Sequence, residues 1–200
     1  IDNIDVTKIP EHRRAKYLGR VFQDPMMGTA ATMGIDENLA LAARRGKFRS
    51  LMPGITAKEK AQYKELLAEL DLGLENRITS KVGLLSGGQR QAITLLMASL
   101  KRPKLLLLDE HTAALDPKTA AKVLDTTEKI VQKDNLTTIM ITHNMKDAIA
   151  HGNRLIMMNS GNIIFDISGE EKKKLTVEDL LEKFAIASGK ELDNDRMMLG

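Results

Sequence analysis

The chain has 200 residues, of which 42% are hydrophobic and 28% charged, as in an ordinary globular domain with a sizeable core. Its net charge of +3 is too small and dispersed to indicate a nucleic-acid partner, and an aromatic content of 3% argues against base-stacking platforms. The lack of cysteine excludes disulfides, thiolate metal sites and cysteine nucleophiles, and no apolar run reaches the length of a membrane span.

Two short strands are predicted near the start of the sequence. Residues 1–6 alternate apolar and polar side chains, as a strand does. Residues 20–22 form a short apolar strand that ends at the polar run Gln23-Asp24-Pro25. Gln23 is therefore expected at the carboxyl end of a strand.

Helices are predicted in the next part of the chain. Asp36 is expected to cap a helix that stops at Gly46, a favourable residue just past a helix end. Thr56 and Glu59 have the spacing of a capping box and open another helix. Residues 28–80 are therefore expected to form a helical insert between strand-rich parts.

The segment around Ser86 has the pattern of an anion-binding helix start. Ser86 and Gln89 have capping-box spacing, and an apolar helical run follows. The glycines between them, Gly87 and Gly88, expose N–H groups at the positive end of the helix and let a phosphate come close. Such a pattern met alone is more often a plain helix cap, but glycine in a first turn costs helix stability and needs a reason.

Strands and helices alternate in the second half of the chain. The four leucines at 105–108 predict a parallel strand buried by helices on each side, and residues 138–142 predict a second buried strand. Between them, Asp116 and Pro117 have the pattern of an N-cap followed by proline at the first helical position. This alternation indicates an α/β fold.

The last part of the chain predicts a hairpin and a helix. Residues 155–158 and 163–167 read as paired strands joined around Ser160-Gly161. Residues 175–180 combine a helix cap with a hydrophobic staple, so another helix is expected there.

Polar groups follow three of the predicted strands: Gln23, the pair Asp109-Glu110, and His143. In open parallel sheets, ligands bind at the carboxyl ends of the strands. A glutamine or a histidine there is weak evidence when taken alone. Two adjacent carboxylates after four leucines are stronger, because they need a cation or a reactive water. Mg²⁺ would suit, since it takes few protein carboxylates.

Taken together, these motifs resemble the nucleotide-binding subunit of an ABC transporter of the importer type. The string LSGGQ at 85–89, followed by LLLLDE at 105–110, carries the resemblance, which runs from residue 1 to about residue 167. It implies a P-loop NTPase-like ABC ATPase core with a mostly parallel sheet, flanking helices and an inserted α-helical subdomain. Residues 1–200 would be one partial domain, with the insert at 28–80, the rest of the catalytic core at 81–167 and a helical tail at 168–200.

The resemblance implies that ATP is held between two subunits. Ser86, Gly87, Gly88 and Gln89 would form the signature motif, which grips the γ-phosphate of ATP bound to the opposite subunit. Asp116 would belong to the D-loop, which crosses the dimer interface.

The same resemblance assigns the hydrolytic residues. Asp109 would position Mg²⁺, and Glu110 would be the general base that activates water. Gln23 would contact Mg²⁺ and the attacking water while sensing the membrane subunit, and His143 would contact the γ-phosphate. The implied cofactors are ATP and Mg²⁺.

Partners and location also follow from the resemblance. We expect a second nucleotide-binding subunit in a homodimer, transmembrane permease subunits and a solute-binding protein, with no nucleic acid. The insert would dock a coupling helix of the permease, so that the protein lies peripherally on the cytoplasmic face of the membrane. Two alternatives stay open: a soluble ABC-type ATPase, for example in cluster assembly, and a non-catalytic module that offers only its signature face.

The sequence departs from the family pattern in two places. His111 lies where most relatives have proline; a tolerated loop variant is the favoured interpretation, with a modulatory contact near Glu110 as the alternative. The Walker A pattern G-x-x-x-x-G-K-[ST] does not occur, since neither Gly46-Lys47 nor Gly189-Lys190 fits it. We therefore expect a C-terminal piece of a longer domain rather than a natural short chain, with weak ATP affinity and negligible hydrolysis by these 200 residues alone.

Overall fold

The structure, a computed structural model, describes residues 1–46 and 54–188. Lys47 and the pair Gly189-Lys190 lie outside the described residues. The chain divides into two compact units, Ile1–Ile141 and Thr142–Gly200. The first unit contains these helices and strands: α1 (Glu11–Arg14), β1 (Leu18–Val21), α2 (Ile35–Ala43), α3 (Ala57–Ala68), α4 (Gly87–Ser99), β2 (Leu105–Asp109), α5 (Pro117–Asp134) and β3 (Thr138–Ile141).

The three strands of the first unit form a parallel sheet in the order β1-β2-β3. Val21 is level with Leu108, and Leu108 is level with Met140. Parallel strands need crossover connections, and the long segments between these strands provide them with helices. The alternation of strands and helices and the parallel pairing of the four leucines are as predicted. The carboxyl ends of β1 and β2 consequently lie side by side.

One face of this sheet is the buried one. Leu106 and Leu108 are almost fully buried and cluster with Leu95 and Ala98 of α4, while Val131 of α5 packs against the same cluster. The prediction that residues 138–142 form a buried strand is wrong, because Ile139 and Ile141 of β3 are each 52% exposed, and on β2 Leu105 and Leu107 are only half-buried. An apolar run shows that a strand is in the sheet but does not show which of its faces is covered.

The predicted strand at residues 1–6 is also wrong. Asp2 and Asn3 both have positive φ angles, 48° and 60°, and the Ile4 N–H donates to the Ile1 carbonyl at 2.8 Å. Aspartate and asparagine tolerate this left-handed conformation better than most residues. An Asp-Asn turn therefore replaces the alternating strand.

The region predicted as helical shares a hydrophobic core with α4. Ile35, Leu39 and Leu67 of α2 and α3 are fully buried, together with Leu74 in a 3₁₀ turn and Ile93 of α4. The helix predictions are confirmed, since α2 and α3 both lie within residues 28–80.

The predicted N-cap is correct for α3 and wrong for α2. The α3 cap is as expected, with the Glu59 N–H donating to Thr56 Oγ1 at 3.2 Å and the Thr56 N–H donating to Glu59 Oε2 at 2.8 Å. The α2 cap is not Asp36: Gly34 is the N-cap, and its N–H donates to Glu37 Oε2 at 2.6 Å. Asp36 lies inside the first turn, where a negative charge favours the helix dipole.

The second unit contains α6 (Met145–Ala150), β4 (Arg154–Asn159), β5 (Asn162–Ser168), α7 (Gly169–Lys172) and α8 (Val177–Ser188). The predicted hairpin is confirmed: β4 and β5 are antiparallel, and Ser160 and Gly161 have φ angles of 49° and 80°. Two consecutive positive φ angles are typical of the type I′ turn that favours hairpins. The Asp179 N–H donates to Thr176 Oγ1 at 3.2 Å, which caps the last helix as predicted. Among the described residues, no helix combines the length and the apolar character needed to cross a bilayer.

Candidate functional site

Two of the predicted site residues meet at the carboxyl ends of neighbouring strands. Gln23 follows β1 by two residues, and Glu110 follows β2 directly. Their side chains are in contact, with Gln23 Nε2 donating to Glu110 Oε2 at 3.2 Å. The expectation that polar residues converge at this edge of the sheet is met for this pair.

The backbone of Glu110 is held in an uncommon conformation. Its φ angle is +45°, which costs a residue with a β-carbon on the order of 1–2 kcal/mol. Two hydrogen bonds keep it there: the Glu110 N–H donates to the Ile141 carbonyl, and the Ala113 N–H donates to the Glu110 carbonyl, both at 3.0 Å. The sheet and the following turn therefore set the direction in which this carboxylate points.

Asp109 makes an ion pair that the sequence analysis missed. Arg20 Nη2 lies 3.0 Å from Asp109 Oδ2, with both side chains partly exposed. The Arg20 guanidinium also lies over the Phe22 ring, 4.5 Å from its centroid. The strand register contained the necessary information: Arg20 is level with Leu107, and Leu107 shares a face with Asp109. Arg20 thus adds a cation to the site.

Ser86 caps α4 in the predicted way. The Gln89 N–H donates to Ser86 Oγ at 3.3 Å, and the Ser86 N–H donates to Gln89 Oε1 at 3.2 Å. Ser86 and Gly87 are exposed. The plain capping function is therefore present, while phosphate binding by this helix start stays a prediction.

Packing explains why position 88 is a glycine, and the sequence analysis did not predict this. Gly88 is buried, and a β-carbon added there would lie 2.1 Å from Thr119 Cγ2 at the start of α5. A β-carbon on Gly87 would lie 3.2 Å from Leu115 Cδ2, a flexible side-chain end. Glycine at 88 thus lets α4 and α5 approach closely, which is a function distinct from admitting a phosphate.

Asp116 is the N-cap of α5. Its Oδ1 accepts from the Thr119 N–H at 3.1 Å, and hydrogen bonding from Thr119 lowers the pKa of Asp116 below the usual aspartate value. Because Thr119 also packs on Gly88, the segment 114–116 lies next to the signature motif of the same chain. The role of Asp116 at a dimer interface stays a prediction.

His111 is buried, with 2% of its surface exposed. Its Nε2 lies 3.1 Å from Thr127 Oγ1, and the Thr127 hydroxyl donates to the Val123 carbonyl at 2.8 Å. Because the Thr127 hydroxyl donates to the Val123 carbonyl, it can accept from Nε2 in the imidazole tautomer that carries a proton there. His111 therefore ties the turn after Glu110 to the third turn of α5.

His143 belongs to the second unit, where it directly precedes the N-cap of α6. The side chain is exposed, and the neighbouring Asn144 caps α6 by accepting from the Lys146 N–H at 2.9 Å. The Asn144 N–H donates to Thr142 Oγ1 at 3.0 Å. The predicted contact of His143 with a γ-phosphate stays a prediction.

The oxygen donors at the strand ends suit Mg²⁺ better than a metal that needs a full protein cage. In the described part of the chain, no three His, Cys, Asp or Glu residues are grouped to hold a metal ion. Mg²⁺ usually takes one or two carboxylates and completes its shell with water and phosphate oxygens. The Asp109 carboxylate, which is paired with Arg20 in this structure, and the Gln23 amide oxygen are donors of the kind that Mg²⁺ takes.

Comparison with known proteins decides the family. The ABC transporter family matches residues 1–113, more than half of the chain. The chain belongs to this family. A Tyrosine transport ATP-binding protein from Clostridioides difficile (strain R20291) is 46% identical over 187 residues, which cover 94% of this chain and 74% of that protein.

A second relative of this ABC protein is named for import. The Phosphonates import ATP-binding protein PhnC 2 of Cupriavidus metallidurans is 30% identical, covering 96% of this chain and 67% of that protein. Among solved structures, the dimeric post-hydrolysis state of the ATP-binding cassette MJ0796 bound to ADP and Pi has a TM-score of 0.67 and 28% identity. That comparison covers 84% of this chain and 71% of the cassette, and it confirms the predicted ABC ATPase fold.

Proposed function

We propose that this protein hydrolyses ATP to energise solute import, as the ATP-binding subunit of an ABC transporter. The observation that carries the proposal is the hydrogen bond between Gln23 and Glu110 at the carboxyl ends of two adjacent parallel strands. A glutamine amide that holds a carboxylate in this position is suited to orienting a water molecule. The name of the phosphonates import relative supports the direction of transport.

In this proposal Glu110 acts as the general base. Phosphoryl transfer depends mainly on positioning and charge stabilisation, so a carboxylate that orients the attacking water is sufficient chemistry for the protein. The constrained backbone of Glu110 and its contact with Gln23 limit the directions in which the carboxylate can turn. His143 would contribute stabilisation of the γ-phosphate.

Mg²⁺ is the second cofactor that we propose, beside ATP. Asp109 would hold it through a carboxylate oxygen and Gln23 through its amide oxygen. Bound Mg²⁺ supplies charge neutralisation at the phosphate oxygens. Arg20 holds the Asp109 carboxylate at 3.0 Å, which restricts its orientation at the strand end.

The signature motif would act on ATP held by a second copy of the protein. Ser86 and Gly87 are exposed at the positive end of α4, where an anion is favoured. Asp116, next to the motif, would cross the same interface. A dimer of two such subunits would then place each ATP between the signature motif of one and the strand ends of the other.

The remaining partners belong to the membrane. We infer that permease subunits hold the protein at the cytoplasmic face and that the region 28–80 receives their coupling helix. Met27 and Leu84, which are 70% and 72% exposed, offer apolar surface beside this region. A solute-binding protein would complete the importer, and tyrosine is the first solute to test, because the relative with 46% identity is named for its transport.

Replacing the base tests the proposal. Glu110→Gln in the protein at its natural length should abolish ATP turnover while leaving ATP-dependent dimers intact, because the amide keeps the shape but cannot accept the proton. Glu65→Gln, on an exposed position of α3, is a matched control that should hydrolyse ATP normally. Normal turnover by Glu110→Gln would refute the assignment of the base.

A further inference from the structure

A buried glutamine on α4 contacts the backbone immediately before Gln23. Gln91 is fully buried, and its Nε2 donates to the Phe22 carbonyl at 3.1 Å. Phe22 lies between the last residue of β1 and Gln23. The bond therefore holds the chain at the point where the Gln23 side chain leaves the strand.

One end of the buried Gln91 amide is energetically unfavourable. Gln91 Oε1 is buried and has no hydrogen-bond partner among the described residues. A buried polar atom without a partner is destabilising, and an apolar side chain of similar length would fill the same space without that cost. The hydrogen bond from Gln91 Nε2 to the Phe22 carbonyl is the contact that an apolar residue could not make.

Neighbouring residues of α4 hold the rest of the segment 22–28. Arg90 Nη1 lies 2.7 Å from Met26 Sδ. A β-carbon on Gly28 would lie 2.6 Å from Thr94 Cγ2, so this part of the chain passes tightly over α4. The segment is thus fixed to one helix at its beginning, its middle and its end.

The same helix begins at the signature motif. Ser86 caps α4, and Gln91 is only five positions further along, within two helical turns. Since α4 is a regular helix between them, a displacement of its first turn moves the Phe22 anchor with it. This gives one chain a rigid connection between the signature motif and the Gln23–Glu110 contact.

We propose that Gln91 is a positioning residue, which sets the orientation of Gln23 toward Glu110 through the Phe22 carbonyl. Its catalytic consequence rests on the proposed function, but the positioning itself does not. Loss of the bond should loosen the segment 22–28 and misplace the Gln23 amide, while the ATP-binding surfaces stay as they are.

The test compares Gln91→Met with Ser99→Ala in the protein at its natural length. Methionine keeps the length of the side chain and removes the donor, whereas the Ser99 hydroxyl bonds only to the Leu95 and Leu96 carbonyls within α4. We expect backbone amide hydrogen exchange over 22–28 to accelerate about fivefold in Gln91→Met, since one hydrogen bond is worth about 1 kcal/mol. The control should show no change in that segment.

Steady-state kinetics give a second readout. The kcat for ATP hydrolysis should fall about fivefold in Gln91→Met with KM changed by less than about twofold, because the lost contact acts on the orientation of catalytic groups. Unchanged exchange over 22–28 in folded Gln91→Met would overturn the positioning inference whatever the activity. Normal ATP turnover by Glu110→Gln would refute the proposed function, and this result is independent of the exchange measurement on Gln91→Met.

A measurement on the unsubstituted protein covers the case in which Gln91→Met fails to fold. The side-chain amide protons of Gln91, observed by NMR after ¹⁵N labelling, should exchange slowly with water, because the donor is buried and bonded. Rapid exchange of those protons would overturn the inference without any variant.

Discussion

Gly88→Ala is expected to destabilise the protein through a clash between two helices. The added β-carbon would lie 2.1 Å from Thr119 Cγ2, whereas ordinary van der Waals contact begins at 3.4 Å. The two atoms must therefore separate by more than 1 Å. Neither can do so alone, since Gly88 belongs to α4 and Thr119 is a β-branched residue in the first turn of α5.

The magnitude follows from two opposing effects. Overpacking of this kind costs about 1–3 kcal/mol. Alanine is also a better helix former than glycine, by up to about 1 kcal/mol in a helix interior and by less in a first turn. We therefore expect Gly88→Ala to lower the free energy of unfolding by about 1–2 kcal/mol.

A double-mutant cycle isolates the contact. Thr119→Ser removes Cγ2 but keeps the N–H that bonds to Asp116, so the next atom met by the alanine would be Cβ at 3.6 Å. Urea denaturation followed by circular dichroism gives the four free energies of unfolding. Gly88→Ala should cost little or nothing in the Thr119→Ser background, with a coupling energy of about 1–2 kcal/mol.

Gly87→Ala is the matched control for this cycle. Its β-carbon would meet only the end of the Leu115 side chain, at 3.2 Å, which can give way. A cost for Gly88→Ala that is the same with and without the Thr119 methyl group would refute the packing explanation. The glycine would then have to be explained by its backbone conformation or by a ligand.

Three further predictions concern other contacts. Arg90→Met should lower the free energy of unfolding by about 2 kcal/mol in urea denaturation, because it removes side-chain hydrogen bonds to the carbonyls at 82, 83 and 85. The hydrogen-bonded ion pair with Arg154 lowers the pKa of Asp166. The stabilisation that this pair contributes is therefore complete above pH 3.8 and is lost as the pH falls through the lowered pKa. On acidification, the melting temperature of Asp166→Asn should fall less steeply than that of the natural protein. Burial lowers the pKa of Lys172, so at this side chain the native state binds fewer protons than the unfolded state just below pH 10.5. The free energy of unfolding should therefore change more positively with pH in the natural protein than in Lys172→Met over that range.

Local patterns in the sequence predicted local structure well. The capping boxes at Thr56 and Ser86 and the N-cap at Asp116 depend on contacts between residues three positions apart, and all three are formed. The same reasoning misplaced the cap of α2, because Glu37 can satisfy the N–H of Gly34 and so makes an earlier start possible without a capping side chain. Capping patterns therefore locate a helix start to within a few residues.

Interactions between distant parts of the chain were predicted only in outline. The carboxyl ends of β1 and β2 were expected together, and Gln23 meets Glu110 there. Arg20 was missed because its ion pair with Asp109 depends on strand register, which periodicity does not supply. The exposure of Ile139 and the contact of Gly88 with Thr119 depend on which elements pack together, so neither is visible in the sequence.

The central claim is that one ATP is held by two subunits, and mixed dimers test it directly. Glu110→Gln and Ser86→Arg would each inactivate a homodimer, because every ATP site would contain one altered residue. In a dimer of one Glu110→Gln and one Ser86→Arg subunit, both changes fall in the same composite site and the other site is intact. We predict that mixing the two inactive proteins restores ATP hydrolysis; mixtures that stay as inactive as either homodimer would contradict the shared site.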